Sequence, residues 1–139
     1  MKRILVVDDA ATVRRYHRSI LEPAGYMIEE AVNGIEALEK VAYESFDLYL
    51  VDINMPKLDG YGLLRELRTR DMPQAPAIMV STEAAGRDRL LAYQAGANLY
   101  IIKPVKPDYL LDCTAILLGR LSQYKSLTMI ANYSLGILH

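Results

Sequence analysis

LYLVDINMPKLDG, residues 48–60, places an acidic residue directly after an uninterrupted hydrophobic run. The run Leu48–Val51 has the length and composition of a central strand in a parallel sheet that is covered on both faces. Asp52 follows it, and Met55-Pro56 then breaks the chain direction. Because burying an unpaired carboxylate is costly, the stretch predicts a compensating group close to Asp52.

The overall composition is that of one globular domain. The chain has 139 residues, is 52% hydrophobic and 24% charged, and carries a net charge of −1. No basic block indicates nucleic-acid binding, no run is long enough to cross a membrane, and the start lacks a secretory signal. We therefore expect a cytoplasmic protein without a nucleic-acid or membrane partner. A single cysteine, Cys113, excludes an internal disulfide and is interpreted as a buried thiol.

Three other segments resemble the run before Asp52, and a fifth is weaker. The four strong strands are predicted at Ile4–Val7, Leu48–Val51, Ala77–Val80 and Leu99–Ile102. The weaker segment, Tyr26–Val32, contains two glutamates. Its amphipathic character predicts a strand at the edge of the sheet.

Helical periodicity fills the intervals between these strands. The residues expected to share apolar faces are Val13, Tyr16, Ile20 and Leu21, then Leu38, Val41 and Ala42, then Leu63, Leu64 and Leu67, then Leu90, Leu91 and Ala95, and finally Leu110, Leu111, Thr114, Leu117, Leu118 and Leu121. Pro23 is expected to end or kink the first helix, and Asn33-Gly34 to turn a strand into a helix. Five β-α repeats predict a doubly wound α/β fold with a parallel sheet, helices on both faces and ligands beyond the carboxyl ends of the strands.

Polar residues follow each of the four strong strands, where ligands are expected. They are Asp8 and Asp9, then Asp52, then Ser81 and Thr82, and finally Lys103 before Pro104. The carboxyl ends of parallel strands lie on one edge of a sheet, so these side chains should meet there. An aspartate after a strand is more often only a turn or helix-cap residue, and it is the set of four strand ends that favours a functional site.

Three acids and one lysine cannot neutralise each other at this edge. Two like charges about 4 Å apart repel by roughly 4 kcal/mol at an effective dielectric constant of about 20. Either one carboxyl group takes a proton or a hard cation such as Mg²⁺ or Mn²⁺ binds. Zinc ligands are absent, because His17 lies in a helix and His139 at the terminus. A cation, a lysine and a hydroxyl would hold phosphoryl oxygens, and Asp52 could form an aspartyl phosphate.

Four segments together carry a family resemblance: VVDDA, VDINMPKLDG, VSTEA and YIIKPV, at residues 6–10, 51–60, 80–84 and 100–105. In this order and spacing they resemble the receiver domain of two-component response regulators, most closely the single-domain chemotaxis type. The resemblance covers residues 1–122 and implies a flavodoxin-like sheet of five strands in the order 2-1-3-4-5.

The resemblance also implies roles for individual residues. Asp52 would be the phosphoacceptor, Lys103 would pair with a phosphoryl oxygen, and the Ser81 hydroxyl, rather than that of Thr82, would move toward the phosphoryl group. Tyr100 would change rotamer on activation, and the Lys103-Pro104 bond would be cis. The ligands of Mg²⁺, or of Mn²⁺ in its place, would be Asp8, Asp9, Asp52 and the backbone carbonyl of Asn54.

Partners follow from the same resemblance. The donor would be a phosphohistidine on a sensor histidine kinase or phosphotransfer protein, and the chain would be a switch rather than a turnover enzyme. Since no second domain is seen in the sequence, output is expected through a separate target protein or a homodimer. The expected output face comprises Leu90–Ala95, Leu99–Ile102 and Tyr109–Leu121. Residues 123–139 have no counterpart in the family and alternate in a strand-like manner.

Other functions remain open. A phosphorelay intermediate would use the same chemistry. A flavodoxin-like cofactor binder would need a phosphate-binding loop after the first strand, where Asp8 and Asp9 would instead repel a phosphate. An aspartyl-phosphate phosphatase would typically show Asp-x-Asp there. A receiver fold used only as an interaction module would not need the intact set of acids.

Overall fold

The computed structural model describes residues 1–119, which form an alternating series of strands and helices. The strands are β1 (Arg3–Val7), β2 (Met27–Ala31), β3 (Leu48–Asp52), β4 (Ala77–Ser81) and β5 (Leu99–Ile102). The helices are α1 (Ala11–Leu21), α2 (Gly34–Val41), α3 (Gly60–Thr69), α4 (Gly86–Ala95) and α5 (Pro107–Leu117). The predicted boundary at residue 122, the extension 123–139 and Leu121 lie outside the described residues. Within residues 1–119, none of the helices combines the length and hydrophobicity needed to cross a bilayer.

The strands form one parallel sheet in the order β2-β1-β3-β4-β5. This confirms the predicted fold class and the edge position of the weak, glutamate-containing strand. Val7 pairs with Val51, and Asp52 pairs with Val80. The register therefore brings the residues that follow β1, β3 and β4 to the same edge.

Two hydrophobic cores cover the sheet, one on each face. On one face Leu5, Val7, Tyr49 and Val51 pack against α2, α3 and α4, and on the other Ile4, Val6, Leu48 and Leu50 pack against α1 and α5. All five residues of β3, Asp52 included, are buried. This explains why the run before Asp52 shows no alternation of polar and apolar residues.

The predicted apolar face of α4 is wrong at Leu90 and Leu91 and correct at Ala95. Ala92 and Ala95 face the core, whereas Leu90 is 57% exposed and Leu91 is 38% exposed. Sequence periodicity favoured the larger side chains, but the sheet is contacted by the alanines, which are three positions apart and so share a face. Tyr16, predicted on the apolar face of α1, is also exposed, and its hydroxyl donates to the Val105 carbonyl at 2.8 Å.

The predicted helix ends are confirmed. The first helix stops at Leu21, and a single 3-10 turn over Glu22–Ala24 contains Pro23. Asn33 is the N-cap of α2, where its side chain accepts a hydrogen bond from the Glu36 amide at 2.8 Å. The Asn33-Gly34 pair therefore starts a helix rather than closing a hairpin.

The loop after β3 returns tightly to the strand it leaves. The amide of Gly60 donates to the Ile53 carbonyl at 2.9 Å, and Asp59 caps α3 by accepting from the Gly62 amide at 2.8 Å. A Cβ atom on Gly60 would lie 2.6 Å from the Asp52 carbonyl oxygen. Only glycine allows this approach, and the approach fixes the backbone on which Asp52 is carried.

We predict that Gly60→Ala lowers the free energy of unfolding by about 1–3 kcal/mol, because the added methyl group overlaps the backbone of β3. Urea denaturation measures the change. The matched control is Gly86→Ala at the start of α4, where nothing lies within 4 Å of the added Cβ. That variant should be unchanged or more stable by about 0.4–1 kcal/mol. A Gly60→Ala protein as stable as wild type would contradict the predicted overlap.

Candidate functional site

Three carboxylates converge at the carboxyl edge of the sheet. Asp8, Asp9 and Asp52 each place one oxygen within 4.8 Å of the others. Asp8 and Asp52 are buried, while Asp9 is exposed. The convergence expected from the strand ends is therefore present in the structure.

Lys103 reaches the acids from the loop after β5. Its Nζ lies 3.0 Å from Oδ1 of Asp52 and 3.1 Å from Oδ2 of Asp8. Its backbone amide donates to the Ser81 carbonyl at 2.8 Å, and the following Lys103-Pro104 bond is cis, as predicted. One ammonium thus pairs with two of the three carboxylates.

The pKa shifts of Asp52 and Lys103 indicate that the lysine neutralises the nearby carboxylates only in part. Burial raises the pKa of the Asp52 carboxyl group, the hydrogen bond from Lys103 lowers it, and the charge of Asp8 raises it again, with a net upward shift. Burial lowers the pKa of the Lys103 ammonium, but the hydrogen bond to Asp52 and the charges of both carboxylates outweigh burial and raise it. Lys103 therefore stays charged, while negative charge remains in excess around Asp52.

The donor set suits a hard divalent cation. Three carboxylates offer oxygen ligands only, and an ion with a charge of two would offset the excess that Lys103 leaves. Mg²⁺ and Mn²⁺ prefer such oxygen ligands. Asn54 follows at the exposed start of the loop, and its backbone hydrogen-bonds to the Asp52 carboxylate. The Asn54 carbonyl as a metal ligand stays a prediction.

Ser81 and Tyr100 are linked both directly and through Glu83 in the loop after β4. Burial raises the pKa of the Tyr100 hydroxyl, and a side-chain hydrogen bond with Ser81 partly opposes this shift. Ser81 is buried, and its Oγ accepts a hydrogen bond from the Glu83 amide at 3.1 Å. Tyr100 is also buried, and its hydroxyl donates to the carbonyl of the same Glu83. Thr82 is exposed. The structure thus places Ser81, rather than Thr82, inside the site, while the roles of Ser81 and Tyr100 remain predictions.

Arg14, which was not predicted from the sequence, holds the backbone at Asp8. Its Nη1 donates to the Asp8 carbonyl at 2.7 Å, and its Nε pairs with Oε1 of Glu30 at 2.8 Å. Arg14 of α1 therefore connects Glu30 of the edge strand β2 to Asp8 of the acidic cluster. No sequence signal predicts that Arg14 reaches Asp8, because the rotation of α1 about its axis relative to β1 is set only by packing.

His17 was also missed, because a histidine on a helix looks remote from strand ends. Its side chain is buried, and its Nδ1 has no hydrogen-bond partner among residues 1–119. Burial lowers the pKa of the imidazole to about 4, the charge of Asp8 opposes this shift and that of Lys103 adds to it. His17 is therefore neutral at pH 7 and close enough to the site to feel its charges.

A groove of about 380 Å³ opens beside the acids. Its walls are formed by Val13, Tyr16 and His17 of α1, by Thr82, and by Lys103, Pro104 and Val105 after β5. These surfaces are mainly apolar, and Lys103 is shared between the groove and the carboxylates. The groove thus leads from the surface of α1 to the ammonium beside Asp52.

Comparison with known proteins identifies what this arrangement is similar to. The model of the response regulator receiver domain family matches residues 4–115. The transcriptional regulatory protein ResD of Bacillus subtilis is 39% identical over 121 residues, which are 87% of this chain and 50% of ResD. The chain spans half or less of the curated relatives it matches.

Solved structures agree with this match. A CheY-like receiver domain protein from Methanospirillum hungatei is 36% identical with a TM-score of 0.79, covering 88% of this chain and 98% of that one. The response regulator TrrA from Thermotoga maritima, solved in complex with Mg²⁺-BeF, is 36% identical with a TM-score of 0.76, covering 85% of this chain and all of that one.

We predict that His17 makes the protein less stable in acid. The unfolded chain takes up a proton at His17 as the pH falls below about 6.5, whereas the folded chain excludes it down to about pH 4, so stability is lost across this window. His17→Gln removes the titrating group, and across the window wild type should lose up to about 3 kcal/mol more than the variant. Urea unfolding at several pH values, without divalent ions, measures the difference. Parallel stability curves for the two proteins would contradict this prediction.

Proposed function

Because this chain belongs to the response regulator receiver domain family, we propose that it is a phosphorylation-activated signalling switch with Asp52 as the phosphoacceptor. The observation that supports this most directly is the position of Asp52. It ends the central strand, is buried, and contacts Lys103 within a cluster of three acids. A structural aspartate would need no second and third carboxylate beside it.

In this proposal Asp8, Asp9, Asp52 and the Asn54 carbonyl hold Mg²⁺, which Mn²⁺ can replace. The ion would offset charge on the carboxylates and on the transferred phosphoryl oxygens. The acidic cluster supports this assignment, and so does the crystallised Mg²⁺-BeF complex of TrrA. The four groups come from the ends of β1 and β3, two adjacent strands, so the sheet itself sets their separation.

The reaction needs little covalent chemistry from the protein. An oxygen of Asp52 attacks phosphorus, the P–N bond of the donor phosphohistidine breaks, and the imidazole leaves with the bonding electrons. Lys103, already 3.0 Å from Oδ1 of Asp52, exchanges part of its ion pair for a phosphoryl oxygen. The product is a mixed anhydride, and water hydrolyses it to restore the carboxylate. The chain is therefore a self-resetting switch rather than a turnover enzyme.

Ser81 would respond to the phosphoryl group by hydrogen bonding to it. In this proposal the phosphorylated state favours the buried orientation of Tyr100. The Ser81 hydroxyl would move toward the phosphoryl oxygens, and Glu83, whose amide donates to Ser81 and whose carbonyl accepts from Tyr100, would couple that movement to Tyr100. Tyr100 belongs to the core beneath α4, so its rotamer would alter the output face formed by α4, β5 and α5. The exposed Leu90 and Leu91 give this face an apolar surface for a target protein or a second copy. The predicted face extends to Leu121, beyond the described residues.

The groove beside Lys103 is suited to the donor. It is apolar, it adjoins the acids, and its walls come from α1 and the loop after β5. A sensor histidine kinase or phosphotransfer protein that places an apolar helix here would present its phosphohistidine to Asp52. A small donor such as acetyl phosphate would not need the groove.

Several finer expectations remain proposals. A phosphorelay intermediate shares the same site and is distinguished only by where the phosphoryl group goes next. Assignment to the chemotaxis type, a cytoplasmic location and the absence of a membrane partner also stay predictions. The absence of a nucleic-acid partner is not supported by the relatives. ResD is named as a transcriptional regulator, and this chain covers half of it.

We predict that wild type gains one acid-stable, base-labile phosphoryl group when incubated with Mg²⁺ and acetyl phosphate. Asp52→Asn should lose this ability, because it removes the nucleophile, and chelation of Mg²⁺ should abolish it in wild type. Intact-protein mass spectrometry measures the product. The exposed Asp71→Asn is the matched control and should be phosphorylated like wild type. Labelling of Asp52→Asn equal to that of wild type would contradict Asp52 as the phosphoacceptor. Continuous release of phosphate would indicate a phosphatase.

We predict that Val13→Glu slows phosphoryl transfer from a phosphohistidine-carrying protein by about tenfold, since a charge in the groove opposes apolar docking. Labelling by acetyl phosphate should be unchanged. Tyr43→Glu, at a fully exposed position after α2, is the control and should leave both reactions unaltered. Parallel loss with both donors would show that Val13 supports the site rather than donor docking.

A further inference from the structure

Arg89 of α4 stacks on the ring of Tyr100. Its guanidinium carbon lies 5.2 Å from the ring centroid, within the range of a cation–π interaction. Its Nη1 is buried and has no hydrogen-bond partner among residues 1–119. A buried N–H group without an acceptor is unfavourable, so the guanidinium occupies this place at a cost that the ring face must offset.

The contact is strengthened by its surroundings. A cation–π interaction is weak in water and becomes stronger when the cation is desolvated, which is the condition of Nη1 here. Two residues earlier in the same helix, Arg87 is exposed. The stacking on Tyr100 is therefore a feature of one arginine and not of a generally basic helix.

The ring that Arg89 covers is tied to the phosphoacceptor site. The Tyr100 hydroxyl donates to the Glu83 carbonyl, and the Glu83 amide donates to Ser81 Oγ at 3.1 Å. Tyr100 is thus held at its hydroxyl by Glu83 and Ser81 and at its ring face by Arg89. Phosphorylation can act on the first contact through Ser81, but the second lies on α4, away from the acids.

We propose that Arg89 is a positioning residue that holds Tyr100 in its buried orientation before any phosphoryl group arrives. The inference rests on the proposed switching role of Tyr100, and it adds that this chain sets the switch toward the buried state through α4. Phosphorylation would then change the Tyr100 equilibrium less than it would without Arg89. Loss of the contact should raise the exposed population of Tyr100 by about tenfold.

The test is ¹⁹F NMR of the full chain labelled with fluorotyrosine, with the Tyr100 signal assigned from Tyr100→Phe. A soluble paramagnetic agent reports exposure of each ring. Wild type should show Tyr100 in a protected environment without a phosphodonor. Arg89→Met keeps an unbranched apolar side chain and removes the guanidinium, and it should give a broadened or second, exposed signal. Arg89→Lys, which keeps a cation, should lie between the two, and Arg87→Met should match wild type.

Two results would overturn the inference. One is a wild-type protein whose Tyr100 is already exposed in solution. The other is an Arg89→Met protein that melts at a lower temperature with its Tyr100 signal unmoved, because Arg89 would then only support packing. Should Arg89→Met fail to fold, the comparison of Arg89→Lys with Arg87→Met still tests the inference, because only Arg89→Lys should make the Tyr100 signal more exposed than in wild type.

A final arm separates this inference from the proposed function. Addition of Mg²⁺ and beryllium fluoride should return Tyr100 of Arg89→Met to the protected environment and change wild type little. If no variant responds to these ions, the proposed phosphoacceptor function fails, while the comparison without ions continues to test Arg89.

Discussion

One ammonium shared between two buried carboxylates is the interaction on which this molecule depends. Lys103 contacts Asp8 and Asp52 at about equal distances, and Asp9 adds a third carboxylate that the lysine does not neutralise. Such an arrangement is unfavourable unless the groups are held in place, since each would otherwise be better solvated by water. The sheet holds them, because Asp8 and Asp9 follow β1, Asp52 ends β3, Lys103 follows β5, and these strands are fixed by two cores.

The excess of negative charge links stability to the proposed chemistry. The pKa of Asp52 is raised and its charge is only partly paired, so a divalent cation would stabilise the ionised carboxylate. In the proposed reaction, a phosphoryl group would then replace part of the contact with Lys103. In the proposed mechanism, the same excess of negative charge that is unfavourable in isolation would favour the binding of a metal ion and, with it, of a phosphoryl oxygen. The tight return of Gly60 onto β3 keeps Asp52 in place.

The proposed input groove and the α4 part of the proposed output face lie on opposite sides of this sheet. The groove lies on the side of α1 and α5, whereas Tyr100 and Arg89 lie on the side of α4. Glu83 connects the site to the α4 side, since its amide donates to Ser81 and its carbonyl accepts from Tyr100. A donor protein in the groove would therefore not cover the part of the output face that α4 forms.

The sequence alone determined the strands, their polar ends and hence the acids, the hydroxyl and the lysine of the site, because each of these is a local signal. A hydrophobic run that ends in a charged residue can be recognised in the sequence without coordinates. Parallel strands bring their carboxyl ends to one edge of the sheet, so the charged residues meet there. The strand order came from family resemblance. Tertiary structure alone decided the inward face of α4, the reach of Arg14 to Asp8, the burial of His17 and the stacking of Arg89 on Tyr100. Each of these depends on the rotation of a helix against the sheet, and that rotation is set by the packing of many side chains at once rather than by any one segment.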